Sequence, residues 1–278
     1  LDSDKMASKR TVASLLLAAV VVSCKTLEFD PDLALKFILH SSAAHCGVQA
    51  LEEWQCGRRC TEIGNFTTLG ILQDKEYGGY GYVGYTDDMI VISYRGSVTA
   101  INWIEDFKFA KIRPFANQSV EVHDGFWQMH KKLMGQLLEH LQKAPRRPKL
   151  ALTGHSLGAS LAVLAALNLT QVRPDLPTPF IYNFGQPRVG NAAFVDNVLR
   201  SGVQMFRVVN QRDIVPHYPF ETMNYRHMPT EVWWRNGSYH VCSRSNGEDP
   251  ACSDGQLEFD PLDHPTYPPF PPGIDVSC

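Results

Sequence analysis

No C-x-x-C or H-E-x-x-H spacing occurs in the 278 residues, and the histidines do not gather near the cysteine pairs, which argues against a zinc site. An excess of positive charge is missing too. Lys and Arg number 26 against 29 Asp and Glu, a formal net charge of -3, so there is no electrostatic case for nucleic-acid binding. No internal repeat or long run of like charge marks a second module. The apolar run from Val12 to Val22 is too short to span a bilayer comfortably. Neither a cofactor nor a metal is expected.

What is present suits one large α/β domain, with 44% hydrophobic and 20% charged residues supplying an ample core. Met6, basic Lys9 and Arg10, the Val12 to Val22 run and then Ser23 and Cys24 at a cleavage point read as a secretory signal over residues 1–24. Leu1 to Lys5 precede that methionine as extra residues without a functional reading. Removing residues 1–24 takes away two acids and three bases and moves the formal charge from -3 to -4. Val21-Val22-Ser23-Cys24 also resembles a bacterial lipoprotein box, a reading opposed by four N-x-S/T sequons, at Asn65, Asn117, Asn168 and Asn236, and by the remaining cysteines. Those six cysteines, Cys46, Cys56, Cys60, Cys242, Cys252 and Cys278, point behind a signal peptide to three disulfides in an oxidising, extracellular setting, with the pairing open.

The richest feature is Gly154-His155-Ser156-Leu157-Gly158, a G-x-S-x-G box. It follows the short apolar stretch Leu150-Ala151-Leu152-Thr153 and precedes Ala159 to Leu167, which reads as a buried helix. On a strand, tight turn and helix the serine sits at the apex with the helix N-terminus beneath it, the placement of a nucleophile. Further apolar, β-rich runs near 89–94, 180–184 and 205–209 alternate with helical patterns at Gly125 to Leu141 and Ala159 to Leu169, which predicts a mostly parallel central sheet flanked by helices.

A serine nucleophile needs a histidine to take its proton and an acid to orient that histidine, in the order Ser, Asp, His on such a fold. Asp213 stands in the loop leaving the Met205 to Val209 strand, where it reads equally as a turn aspartate capping its own loop. Of the histidines that follow, His217, His227, His240 and His264, position favours His264, because His240 alternates within a strand while Pro265 biases His264 toward an extended loop. Donors for a tetrahedral oxyanion are offered by the Leu157 backbone N–H and by Ser97, in the Gly-Ser turn ending the Met89 to Tyr94 strand, which read alone is simply a turn serine.

Taken together, Tyr94-Arg95-Gly96-Ser97, Asn102-Trp103-Ile104-Glu105-Asp106, Val122-His123-Asp124-Gly125-Phe126, Thr153 to Ser160, Asn183 to Asn191, Asp213-Ile214-Val215-Pro216 and Asp263-His264-Pro265-Thr266-Tyr267 resemble the class 3 lipase family, the fungal-type triacylglycerol lipases and their secreted animal relatives. The resemblance runs from about Asp30 to Cys278 and implies an α/β-hydrolase-like domain over residues 25–278 with a short helical lid. It implies Ser156 as nucleophile, Asp213 as orienting acid, His264 as general base and then acid, and Ser97 with Leu157 as the oxyanion hole. It also implies disulfides Cys46 with Cys278, Cys56 with Cys60 and Cys242 with Cys252; in the chain-entropy picture the first contributes about 5 kcal/mol and the second about 2. The departure is Tyr267, followed by a Pro-rich stretch to Pro272 where the family usually has an aromatic. That tail reads as packed extended backbone rather than a recognition ligand.

The implied activity is secreted hydrolysis of glycerolipid acyl esters, triacylglycerol above all, through a Ser-His-Asp triad and an acyl-enzyme. Phospholipase A1 and feruloyl-type carboxylesterase are alternatives on the same scaffold, and a non-catalytic lipid-binding protein would lack a triad member, of which none is missing. Ile101, Trp103 and Ile104 give residues 98–107 an apolar face opposite Asn102, Glu105 and Asp106, a pattern that suits a lid meeting lipid at an oil-water or membrane interface. No protein partner is implied.

Overall fold

A computed structural model of the protein describes residues 27–97 and 109–267. The expected signal segment, the expected lid around Ile101, Trp103 and Ile104, the Pro-rich tail and Cys278 lie outside the described residues. Among the described residues no helix is long and apolar enough to cross a membrane.

Helix α1 (Pro31–Ala43) begins where Asp30 accepts the amides of Asp32 at 2.9 Å and Leu33 at 3.2 Å, with Pro31 pre-set for the first turn. Two short helices follow, α2 (Val48–Glu52) and α3 (Arg58–Ile63), the latter tied back by the Cys56–Cys60 disulfide. Then come strands β1 (Thr67–Gln73), β2 (Tyr80–Tyr85) and β3 (Met89–Tyr94). A small ribbon of β4 (Lys111–Ile112) and β5 (Val122–His123) leads into α4 (Asp124–Gln142). The remainder is β6 (Lys149–His155), α5 (Leu157–Val172), β7 (Phe180–Phe184), α6 (Ala192–Arg200), β8 (Gln204–Asn210), β9 (Glu231–Arg235) and β10 (Ser238–Val241).

Eight strands make one sheet in the order β1-β2-β3-β6-β7-β8-β9-β10. Strands β3, β6, β7, β8 and β9 run parallel, and β1, β2 and β10 add antiparallel margins. The protein thus has an α/β-hydrolase fold, with a mostly parallel central sheet flanked by helices. Because successive strand residues face opposite ways, each strand feeds two cores. Ile90, Ile92, Leu150, Leu152, Ile181 and Met205 pack on one face with Leu133 and Leu137 of α4 and Leu161 of α5. Val91, Ala151, Tyr182, Phe206 and Val208 pack on the other with Phe37 and Ile38 of α1. Helix α4 carries Phe126, Met129, Leu133, Leu137 and Leu141 on one buried stripe, whereas α5 is buried nearly all round from Leu157 to Leu167, as a run with Ser160 as its one polar side chain requires.

Parallel registry decides where chemistry can sit. Tyr94 lies opposite Gly154, His155 opposite Phe184, and Phe184 opposite Val208, so the carboxyl ends of β3, β6, β7 and β8 fall along one edge. Ser97, Ser156 and Asp213 follow three of those ends, the edge at which open α/β sheets hold their ligands.

Candidate active site

Strand β6 ends at His155 and α5 begins at Leu157, leaving Ser156 alone on the turn with φ 56° and ψ -127°. Left-handed backbone is costly for a serine and is sustained by its surroundings: the Ser156 amide donates to Phe184 O at 2.9 Å, and its carbonyl accepts the Ala159 amide at 3.0 Å. The flanking glycines serve close approach rather than unusual dihedrals. A Cβ on Gly154 would stand 2.6 Å from Ala159 N, and one on Gly158 2.8 Å from the Arg95 carbonyl carbon, so strand, helix and the end of β3 meet without side chains between them. Ser97 follows Gly96, whose backbone lies so near the elbow that an added Cβ would be 3.2 Å from Ser156 Cβ. Leu157 is the first residue of α5, so its N–H has no carbonyl one turn back to bond to within the helix.

Asp213 is fully buried past the end of β8. His264 Nδ1 lies 2.9 Å from its Oδ2 and 3.0 Å from its Oδ1. The Val215 amide donates to Oδ1 at 2.9 Å, and the Tyr267 hydroxyl donates to Oδ2 at 3.0 Å. Burial first, and then the adjacent Asp213 carboxylate, push the Tyr267 phenol well above its ordinary range, so it remains a donor. With Nδ1 on the carboxylate, Nε2 is the nitrogen left to exchange a proton. Among the described residues both His264 Nε2 and Ser156 Oγ are buried without a hydrogen-bond partner.

The imidazole comes to this place differently from the extended loop expected of it. His264 closes a single 3-10 turn, Pro261–Asp263, and is itself in the right-handed helical region at φ -66° and ψ -45°. A residue before proline normally avoids that region. Here Asp260 caps the turn by accepting the Leu262 amide at 2.9 Å, and the Asp263 carbonyl accepts from Asn210 Nδ2 at 3.0 Å, so local bonding outweighs the proline bias.

The other histidines after Asp213 are committed elsewhere. His227 Nε2 donates to Pro216 O at 2.7 Å, and burial with nearby Arg207 and Arg188 holds it well below the usual histidine range. His217 packs its ring 4.4 Å from that of Phe259, with its pKa lowered to about 4 mainly by burial. His240 sits on β10 opposite Trp233.

Two side chains at the site escaped the sequence reading. Tyr267 was in plain view, three residues after His264, but its bond to Asp213 was not. His155, inside the serine box, places Nε2 2.9 Å from the His264 carbonyl oxygen and its ring 4.3 Å from the His264 ring.

Two groups of possible metal-ligating side chains occur among the described residues. Glu231 adjoins Cys242 and Cys252, whose sulfurs are joined to each other. Glu221, Glu248 and Asp254 surround the Arg188 guanidinium, at 3.9, 2.7 and 3.3 Å from Nη2. That arginine also donates to the carbonyls of His217 at 2.7 Å and Pro219 at 3.2 Å, pinning the segment that follows Asp213. Of the implied disulfides, Cys56–Cys60 and Cys242–Cys252 are formed; Cys46 is disulfide-bonded, and its expected partner Cys278 lies outside the described residues.

Residues 91–223 match the family model described as lipase (class 3). The lipase of Rhizomucor miehei is 36% identical over 194 residues, covering 66% of this chain and 53% of that sequence, so the chain spans little more than half of that relative's length. Secreted mono- and diacylglycerol lipase 1 of Fusarium solani is 30% identical over 250 residues, covering 83% of this chain and 74% of its own. A solved triacylglycerol lipase, whose catalytic centre is described as formed by a serine protease triad, superposes with a TM-score of 0.78 at 31% identity over 88% of this chain and 95% of that one. With this coverage and this fold, the chain belongs to the class 3 lipase family.

Proposed function

We propose that this chain is a secreted serine ester hydrolase that cleaves acyl esters of glycerolipids, with Ser156 as nucleophile, His264 as general base and acid, and Asp213 as the orienting carboxylate. The observation that carries the reading is the buried Asp213 carboxylate bonded to His264 Nδ1 beside an elbow that holds Ser156 in left-handed backbone. In the first half of the reaction His264 Nε2 takes the Ser156 proton as Oγ adds to the ester carbonyl. The negative charge on the former carbonyl oxygen is met by the Leu157 N–H and by Ser97, each such donor lowering the barrier by about 3 to 4 kcal/mol. The imidazolium then gives its proton to the departing alkoxide, leaving an acyl-enzyme and a free alcohol. Water, deprotonated by the same nitrogen, adds to the acyl carbon; collapse expels Ser156 Oγ, which recovers its proton from His264.

A lipid surface as the source of substrate is supported by the rim. Half of the large hydrophobic side chains that stand exposed among the described residues, Phe220, Met223, Leu257, Phe259 and Leu262, lie on the two segments flanking Asp213 and His264. Leu257 is 96% and Leu262 71% exposed, a placement that only an apolar surface rewards. The same segments carry Glu221, Glu258, Asp260 and Asp263 against Arg212 and Arg226, an acidic balance that favours neutral over anionic lipid. Ile101, Trp103 and Ile104 complete the reading as a lid whose opening at the interface exposes the site. Export is supported by the disulfides and by relatives named as secreted, residues 1–24 being the signal and 25–278 the catalytic domain.

Purified protein offered emulsified long-chain triacylglycerol, phosphatidylcholine, a soluble short-chain ester and a hydroxycinnamate ester tests the assignment. Turnover of triacylglycerol that rises sharply past the solubility limit is the expected result. Preference for phosphatidylcholine or for the hydroxycinnamate would replace the substrate, and smooth saturation through the limit would remove the gating lid.

A further inference from the structure

His155 is one residue from the nucleophile and 109 positions from His264, yet both its Nε2 and its ring meet His264. The His155 side chain is buried. Its Nε2 stands 2.9 Å from the His264 carbonyl oxygen, and since a carbonyl only accepts, the proton of the neutral ring is on Nε2. The two rings lie in contact, 4.3 Å between centroids and tilted by 32°. Tyr267 closes the group from the side, its ring 5.7 Å from that of His155 and nearly perpendicular to it.

Resting on the triad reading above, we infer that His155 is a positioning residue for the general base: its N–H holds the His264 main chain and its ring fixes the plane of the His264 imidazole against Ser156. The need for such a tie follows from where His264 sits. Asp213 fixes one nitrogen of the ring, but rotation about that hydrogen bond still swings Nε2 relative to Oγ. The supporting backbone is a single 3-10 turn on a connecting segment rather than a strand of the sheet. A bond from the rigid end of β6, the strand that also carries Ser156, makes nucleophile and base move as one body. A misplacement of about 1 Å at such a site costs on the order of a hundredfold in rate.

Its charge state fits the task. Burial, then the neighbouring His264 and His45 imidazoles, hold His155 well below the ordinary histidine range. A positive His155 would repel the imidazolium formed on His264 during reaction, whereas a neutral ring adds no such repulsion. The titratable groups that act on the pair are Asp213, bonded to His264, Tyr267, bonded to Asp213 and packed against the His155 ring, and His45, which acts on His155 through its charge.

Three substitutions separate positioning from bulk packing, measured with a soluble short-chain ester so that no interface enters. In His155→Gln an amide N–H replaces the Nε2 donor; His155→Phe keeps the ring without the donor; His155→Leu keeps neither. Expected are a kcat loss of at least tenfold for His155→Leu with KM within twofold, and recovery to within about fivefold of the parent in His155→Gln, with thermal midpoints tracking neither. His155→Leu within twofold of the parent in kcat, or His155→Gln no better than His155→Phe, overturns the inference. Should His155→Leu fail to fold, the Gln and Phe comparison alone decides. Ser156→Ala in the same series keeps the two readings apart: turnover surviving in it defeats the triad assignment, while its loss with an unaffected His155→Leu defeats only the role given to His155.

Discussion

The Tyr267 hydroxyl donates to Asp213 Oδ2 at 3.0 Å, on the same buried carboxylate that receives His264 Nδ1. Three donors therefore converge on Asp213, one from a backbone amide and two from side chains more than fifty residues away. The carboxylate is fixed in orientation before any substrate arrives.

Tyr267→Phe removes one of those donors without changing the ring. A buried carboxylate deprived of one bond loses about 1 to 3 kcal/mol. The expected outcome is a thermal midpoint lower by several degrees and a kcat on soluble ester reduced several-fold, because Asp213 is then free to tilt. Denaturant titration and steady-state kinetics on the one variant check both; unchanged values for both would show the phenol to be a passive neighbour.

Acid should destabilise the fold earlier than its carboxylates alone would. Burial lowers His40 to about 3 and His130 and His217 to about 4, and drives His155 and His227 well below the ordinary range. Unfolded histidines take up a proton near pH 6.5. Between that value and the depressed native values the unfolded chain binds more protons, so stability falls as pH falls. Each histidine contributes at most about 1.4 kcal/mol per pH unit, beginning near 6.5 and ending once its native pKa is passed. Thermal midpoints measured from pH 8 to pH 4.5 should be level above 7 and drop steeply below 6; a flat profile to pH 5 contradicts the buried neutral assignment.

The rim makes a separate claim about surfaces. Replacing Leu257 and Leu262 together by serine should lower binding to neutral phosphatidylcholine vesicles by at least tenfold, since a buried leucine gains about 1.5 to 3 kcal/mol. Hydrolysis of a soluble short-chain ester should stay within twofold. Vesicle co-sedimentation with neutral and anionic lipid checks both parts, with weaker binding expected on the anionic vesicles. Undiminished binding of the double variant would move the lipid contact elsewhere.

The central sheet was legible because its strands are short, unbroken apolar runs: Leu150 to Leu152 and Ile90 to Ile92 are buried on both faces and leave no helical period to read. The elbow at Ser156 was legible because its pattern is local, one box between a strand and a helix. His264 was not fixed by position alone, and the resemblance selected it among four. Its backbone was misjudged, since the effect of Pro265 is a bias that the capped Pro261–Asp263 turn overrides. His155 and Tyr267 were invisible as members of the site for a different reason. Their roles consist of contacts spanning 109 and 54 residues of sequence, which no local pattern records. The rim escaped notice because Leu257, Phe259 and Leu262 alternate with acids in a loop, where hydrophobic periodicity carries no message.

The account stands or falls on Ser156 as the atom that takes the acyl group. Incubation with an activated phosphonate ester, which esterifies a nucleophilic serine and stays there, followed by peptide mass spectrometry, locates that atom. The adduct is predicted on Ser156 alone, at a rate cut by several orders of magnitude in His264→Ala and absent in Ser156→Ala. An adduct on Ser97 or Ser160 instead, or hydrolysis persisting in Ser156→Ala, would contradict the account.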